Sequence, residues 1–145
     1  MIKISENLID QIRKHGENTY NEECCGAIIG ETNNGYKIIY ELFEFSNEKD
    51  ENRARRYLIS PEQYKLAEKQ ADERKLELLG FYHSHPDHPA KPSQFDTDHA
   101  LPWFLYMIVS VQNGQAKDLT AWLLKEDHSG FDEQNIIVER KNDER

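Results

Sequence analysis

Cysteine is nearly absent from this chain of 145 residues: Cys24 and Cys25 are the only two, and they are neighbours. Adjacent cysteines rarely pair with each other, so no disulfide framework is available, which fits a reducing compartment. Neither has a second cysteine at metal-site spacing, so both are expected as small buried residues. A basic excess is lacking too. Lys and Arg total 18 against 27 Asp and Glu, for a formal net charge of −9. A nucleic-acid face needs clustered cations to neutralise phosphates, so this balance argues against nucleic acid as a partner. It is compatible with a basic protein partner. No apolar run approaches membrane-spanning length, and the start, "MIKISENLIDQIRKHG", has no apolar core of signal-peptide type. The expectation is a soluble, cytoplasmic protein with no membrane partner.

What is present suffices for one core: 37% of the residues are hydrophobic, at the usual length of a single domain. One domain is expected over residues 1–140, with 141–145, the end of the charged "ERKNDER", as a disordered tail. Ile4, Leu8, Ile9 and Ile12 recur at helical spacing beside a candidate cap, Ser5, and predict a helix ending near Gly16. "ECCGAIIG" reads as a buried strand, "NNG" at 33–35 as a hairpin turn, and "YKIIYELFEF" as its second strand. "SNEKDENRARR" is a polar loop and "RYLIS" is strand-like. "SPEQYKLAEKQADERKLE" opens with an N-cap serine and a first-turn proline and continues as a helix. "LELLGFYHSH", "FLYMIVSV", "LTAWLLKE" and "NIIVER" complete the strands, with a turn at "NGQ" and a short helix from near Ser93. This order predicts an α/β or α+β sheet covered by helices.

The segment "GFYHSHPDHPAKPSQFDTDHA" holds four of the six histidines. On a strand, residues i and i+2 share a face, so His83 and His85 can present both imidazoles to one metal. An isolated HxH pair is a weak signal and needs a third ligand. Two completions exist. The literal HxHxDH adds Asp87 and His88 and resembles the metal motif of metallo-β-lactamase-like hydrolases. Against it stand the short chain, Pro89 in place of glycine, and the absence of later ligands beyond His128 in "DHSG". The other completion takes Asp96. A helix starting near Ser93 places Ser93 and Asp96 on one face, and the stiff "PDHPAKP" folds them back over the strand end. Two histidines and one aspartate leave a fourth position for water, as in catalytic zinc sites. A base for that water could come from Glu22 or Glu23, just before the "CCGAIIG" strand, although solvated acidic residues are common in such loops.

The upstream Glu, "ECCGAIIG", "HSH", seven residues and "SQFD" together resemble the JAMM pattern of the JAB1/MPN/Mov34 metallopeptidases, from the N-terminal helix to "LYMIVSV". The resemblance implies a mixed, curved sheet sandwiched by helices, like that of cytidine deaminases, although deaminase chemistry has no H-x-E…P-C-x-x-C here. It implies that His83, His85 and Asp96 hold Zn2+, that Glu23 is the general acid/base, and that Ser93 stabilises the oxyanion, with Ser84 structural. The compactness resembles the prokaryotic branch that processes ThiS/MoaD-like sulfur carriers, including enzymes that trim a carrier or release cysteine from it. The implied activity is hydrolysis of the amide bond after the C-terminal Gly-Gly of a ubiquitin-like sulfur-carrier protein. The implied site is expected to lie beside sheet edges to which an extended substrate tail could add as a strand. Two further classes stay open: a small-molecule hydrolase using HxHxDH, and a non-catalytic module that binds ubiquitin-like proteins.

Overall fold

The structure, a computed structural model, describes residues 1–46, 59–101 and 103–140. Most of the polar loop expected after Phe45, the start of "RYLIS" and the tail at 141–145 lie outside them. The order of elements is β1 (Ile2–Ser5), α1 (Glu6–Thr19), β2 (Cys25–Asn33), β3 (Tyr36–Phe45), α2 (Pro61–Glu73), β4 (Glu77–Pro86), α3 (Gln94–His99), β5 (Leu105–Gln112), β6 (Gln115–Leu124), β7 (Phe131–Gln134) and β8 (Ile136–Glu139). The strands form one mixed sheet in the order β7-β6-β5-β4-β2-β3-β1-β8. β4 runs parallel to β5, and β1 runs parallel to both β3 and β8. Register shifts at Ile28–Gly30 and between Val109 and Val111 mark bulges, which bend a sheet and raise its twist.

Each face of the sheet carries a core. On one, Ile9 and Ile12 of α1 pack on Ile28, Tyr82, Met107, Val109 and Val111. On the other, Ala67 of α2 packs with Ala27, Phe81 and Tyr106. Helices therefore cover both faces of a mixed α+β sheet. Strand alternation decides what lies where: Tyr82 and Ser84 face α1, whereas Phe81, His83 and His85 face the side of α2 and α3.

Local chemistry explains the boundaries. Asn34–Gly35 and Asn113–Gly114 turn the β2–β3 and β5–β6 hairpins with positive φ at both positions, the backbone that Asn-Gly adopts most readily. Ser60 caps α2 in a reciprocal box with Gln63, behind Pro61. The N-terminus departs from its sequence reading. Ile4 is buried in β1, not in the helix; the residues of β1 alternate, and the match of Ile4 to helical spacing is coincidental. Nor does Gly16 end α1, which continues to Thr19. A Cβ on Gly16 would sit 2.9 Å from Val111 Cγ2, so the glycine is there for close approach of helix to sheet. β7 has no counterpart in the sequence reading.

β4 is an interior strand, hydrogen-bonded to β2 on one side and to β5 on the other through Pro86, so among the described residues β4 itself offers a substrate tail no free edge.

Candidate metal centre and cleft

The end of β4 and the start of α3 build the centre. His83 and His85 project from the same face of β4, with ring centroids 4.9 Å apart. Asp96 arrives from α3, and its position follows from helix capping. Ser93 Oγ accepts the Asp96 N–H at 3.1 Å, and Asp96 Oδ2 accepts the Ser93 N–H at 2.8 Å. The S-x-x-D spacing is thus a capping box that also aims the carboxylate at β4.

The donors converge. His83 Nε2 lies 3.1 Å from His85 Nε2 and 3.1 Å from Asp96 Oδ1; His85 Nε2 lies 3.1 Å from Asp96 Oδ2. All three residues are buried, and among the described residues they form the one group of three or more His, Cys, Asp or Glu placed to share an ion. Backbone geometry sets the tautomer of His85. Its Nδ1 is 2.8 Å from the carbonyl of Pro89, which can only accept, so Nδ1 carries the proton and Nε2 offers a lone pair in the neutral ring. Burial pushes the His83 imidazole below its ordinary value, against the pull of Asp96. For Asp96, burial works to raise the carboxyl, but His83, His85 and the Ser93 N–H together hold it below the usual range. With Nδ1 protonated, the His85 Nε2 lone pair faces the Asp96 carboxylate, which leaves a need for positive charge between them. One ion bonded at about 2.0–2.1 Å can touch both nitrogens and the carboxylate. The donor set therefore fits a metal such as zinc.

The connector between β4 and α3 is pinned to β5 and β6. Asp87 N–H donates to Val111 O at 2.7 Å, Ser110 Oγ to His88 O at 2.6 Å, and Thr120 Oγ1 to Ala90 O at 2.7 Å. These bonds hold the Pro89 carbonyl under His85. The Asp87 carboxylate is engaged elsewhere: Oδ2 accepts from Tyr20 OH and Oδ1 from the Asn113 N–H. Its carboxyl is held below the usual range first by that tyrosine. The geometry thus does not assemble HxHxDH: Asp87 anchors a turn and His88 is exposed. Sequence reasoning missed Ser110, Thr120 and the Pro89 carbonyl. Only the proline density of "PDHPAKP" signalled a rigid support.

Glu23 reaches the site through the β2–β4 pairing. Cys25 pairs with His83, and beyond that pair Ser84 N–H donates to Cys24 O at 3.1 Å while Cys24 N–H donates to Ser84 Oγ at 2.8 Å. The pairing thus runs on past Cys25 and sets Glu23 on the histidine face. Glu23 is buried and lines a cleft of about 310 Å³ with His85, His88, Pro89, Lys91 and Ser93. Glu22 is exposed and does not line it. Cys24 and Cys25 are buried, and burial pushes the Cys24 thiol up to about 12, which leaves it unreactive. A larger hollow of about 440 Å³ beside Trp103 and β6 contains none of these groups.

Relatives share both architecture and sequence. A solution structure of a protein from Salinibacter ruber matches with a TM-score of 0.74 and 40% identity, covering 96% of this chain and 92% of that one. One from Desulfitobacterium hafniense has a TM-score of 0.85 at 24% identity over 97% and 94% of the two chains. The crystal structure of a JAB1/MPN domain protein from Archaeoglobus fulgidus has the same fold, with a TM-score of 0.61 at 16% identity over 96% and 97%. A desampylase from Pyrococcus furiosus is 26% identical over 117 residues, 81% of this chain and 76% of that protein. The family model for prokaryotic homologs of the JAB domain matches residues 5–125, and the chain belongs to that family.

Proposed function

We propose that the protein is a zinc-dependent peptidase or isopeptidase that hydrolyses the amide bond after the C-terminal Gly-Gly of a ubiquitin-like sulfur carrier. Family membership and the buried His-His-Asp cluster support the coarser reading, a JAMM-type hydrolase. That the Pyrococcus furiosus relative is a desampylase supports a protein substrate of ubiquitin-like type. The observation that carries the reading is the convergence of His83, His85 and Asp96 next to a cleft that His85 lines together with Glu23 and Ser93.

His83, His85 and Asp96 would hold the zinc, which when bound supplies Lewis acidity toward the scissile carbonyl and acidifies water. Glu23 takes a proton from the attacking water and returns it to the leaving amine. Ser93 Oγ accepts the Asp96 N–H as a cap, so its own O–H is directed away from the helix and can donate to the oxygen that gains charge. One such donor is typically worth about 3–4 kcal/mol of barrier. Glycines at the scissile bond let the substrate backbone come close to the buried donors.

The test is intact-mass spectrometry of a small carrier extended beyond Gly-Gly, incubated with zinc-loaded protein. Loss of everything after Gly-Gly supports the reading. An unchanged mass, or cleavage elsewhere, would sink it.

A further inference from the structure

Three consecutive carbonyls of the connector, those of His88, Pro89 and Ala90, are each taken by a donor. His88 O accepts from Ser110 Oγ at 2.6 Å, and Ala90 O from Thr120 Oγ1 at 2.7 Å. Pro89 O accepts twice, from His85 Nδ1 at 2.8 Å and from the Lys91 N–H at 2.9 Å. Pro86, Pro89 and Pro92 carry no N–H, so the connector has few donors of its own and draws on side chains of β5 and β6.

Strand register places the second of these donors. His83 pairs with Ile108 of β5, and Ile108 with Thr120 of β6. Cross-strand partners share a face, so Thr120 stands on the histidine face, two strand spacings or about 10 Å from His83. It does not line the cleft. The direction of its hydroxyl is set. Trp122 Nε1 donates to Thr120 Oγ1 at 2.8 Å, and an indole N–H can only donate. The one hydroxyl proton of Thr120 therefore goes to a carbonyl, and Ala90 O at 2.7 Å is nearer than Ile108 O at 3.5 Å. The peptide plane between Ala90 and Lys91 is thus held at both ends, its oxygen by Thr120 and its N–H by Pro89 O. That N–H meets the same oxygen as His85 Nδ1. A threonine that only anchored a loop would affect stability and leave the His85 ring alone; here the anchored peptide abuts the acceptor that fixes the ring.

We propose that Thr120, oriented by Trp122, is a positioning residue for the metal centre: through the Ala90–Lys91 peptide it holds Pro89 O against His85 Nδ1, and so sets the affinity of the centre for its metal from outside the cleft. The inference rests on the reading of His83, His85 and Asp96 as metal ligands. Without the hydroxyl, the Ala90–Lys91 peptide is free to turn and its N–H leaves Pro89 O. The carbonyl then no longer holds the proton on Nδ1. A neutral imidazole can carry its proton on either nitrogen, and on Nε2 the proton occupies the lone pair that ligation needs.

The test measures zinc affinity by competition with a chromophoric chelator, and the His85 tautomer by nitrogen NMR of the zinc-free protein at a pH where the ring is neutral. Thr120→Val keeps the shape and removes the hydroxyl, whereas Thr120→Ser keeps the hydroxyl. Thr120→Val should bind zinc roughly 10–100-fold more weakly and show the His85 proton shared between both nitrogens. Thr120→Ser should keep the wild-type affinity and a proton on Nδ1. Trp122→Phe should move both readouts in the direction of Thr120→Val, by less. Wild-type zinc affinity in Thr120→Val, an unchanged tautomer, or equal losses in Thr120→Val and Thr120→Ser overturns the inference and leaves the metal centre standing. If Thr120→Val does not fold, Trp122→Phe decides: weakened zinc binding supports the inference and unchanged binding overturns it. Wild type that binds no zinc overturns the metal centre itself, and this inference with it.

Discussion

Ser84 Oγ accepts the backbone N–H of Cys24 at 2.8 Å, on the face of the sheet opposite the histidines. The residue between the two histidines thereby ties down the residue next to Glu23. Removing the hydroxyl leaves a buried N–H without its acceptor, which costs about 1–3 kcal/mol. It also loosens Glu23, and misplacing a reacting group by about 1 Å can cost on the order of 100-fold in rate. Ser84→Ala should therefore lower both the melting temperature and kcat while the metal content holds. A variant with lowered stability but wild-type kcat would show that Ser84 does not position Glu23.

The choice between Glu22 and Glu23 has a direct kinetic consequence. Glu23 is buried in the cleft and Glu22 is exposed outside it. Glu23→Gln keeps the shape and removes the basic carboxylate, so turnover should fall by roughly 10²–10⁴-fold with zinc retained. Glu22→Gln should turn over like wild type. The opposite pattern in single-turnover assays would transfer the role to Glu22.

His15 and Tyr82 form a buried pair, Nδ1 to hydroxyl, at 2.7 Å beneath α1. Burial pushes the Tyr82 hydroxyl far above its usual value, so it keeps its proton and donates. Burial also pushes His15 below its ordinary value, with Glu44 opposing. The unfolded chain, whose histidine titrates near about 6.5, then binds the proton first as the pH falls. The stability contributed by a neutral His15 is present above about pH 6.5 and is lost on acidification below it. His15→Gln should thus show a smaller drop in urea midpoint between pH 7.5 and 5.5 than wild type. His83, also lowered, leaves a remaining slope in both proteins. Equal drops would remove His15 from the account.

Much of this was legible in the sequence for physical reasons. The two Asn-Gly turns, the Ser60–Pro61 helix start and the S-x-x-D box are local chemistry, in which a few side chains determine the backbone. His83 and His85 share a face because strands alternate, which two letters of spacing reveal. Other features depend on partners distant in the chain. Ile4 fits both a helix and a strand, and its pairing with Val138 of β8 decided the matter. Gly16 resembles a helix stop until Val111 is seen against it. The Pro89 carbonyl that orients His85 is a backbone group, which no residue pattern can display. Asp87 sits in a metal-like motif, yet its carboxylate is bound by Tyr20 and Asn113, from other parts of the chain.

The central claim is that His83, His85 and Asp96 form a metal centre and that Asp87 belongs to the turn beside it. Elemental analysis of purified wild type, Asp96→Ala and Asp87→Ala after loading with zinc and desalting tests it most directly. The account predicts about one zinc per chain in wild type and in Asp87→Ala, and loss of most of the zinc in Asp96→Ala, since a ligand is removed in that variant alone. Full zinc in Asp96→Ala with loss in Asp87→Ala would contradict it.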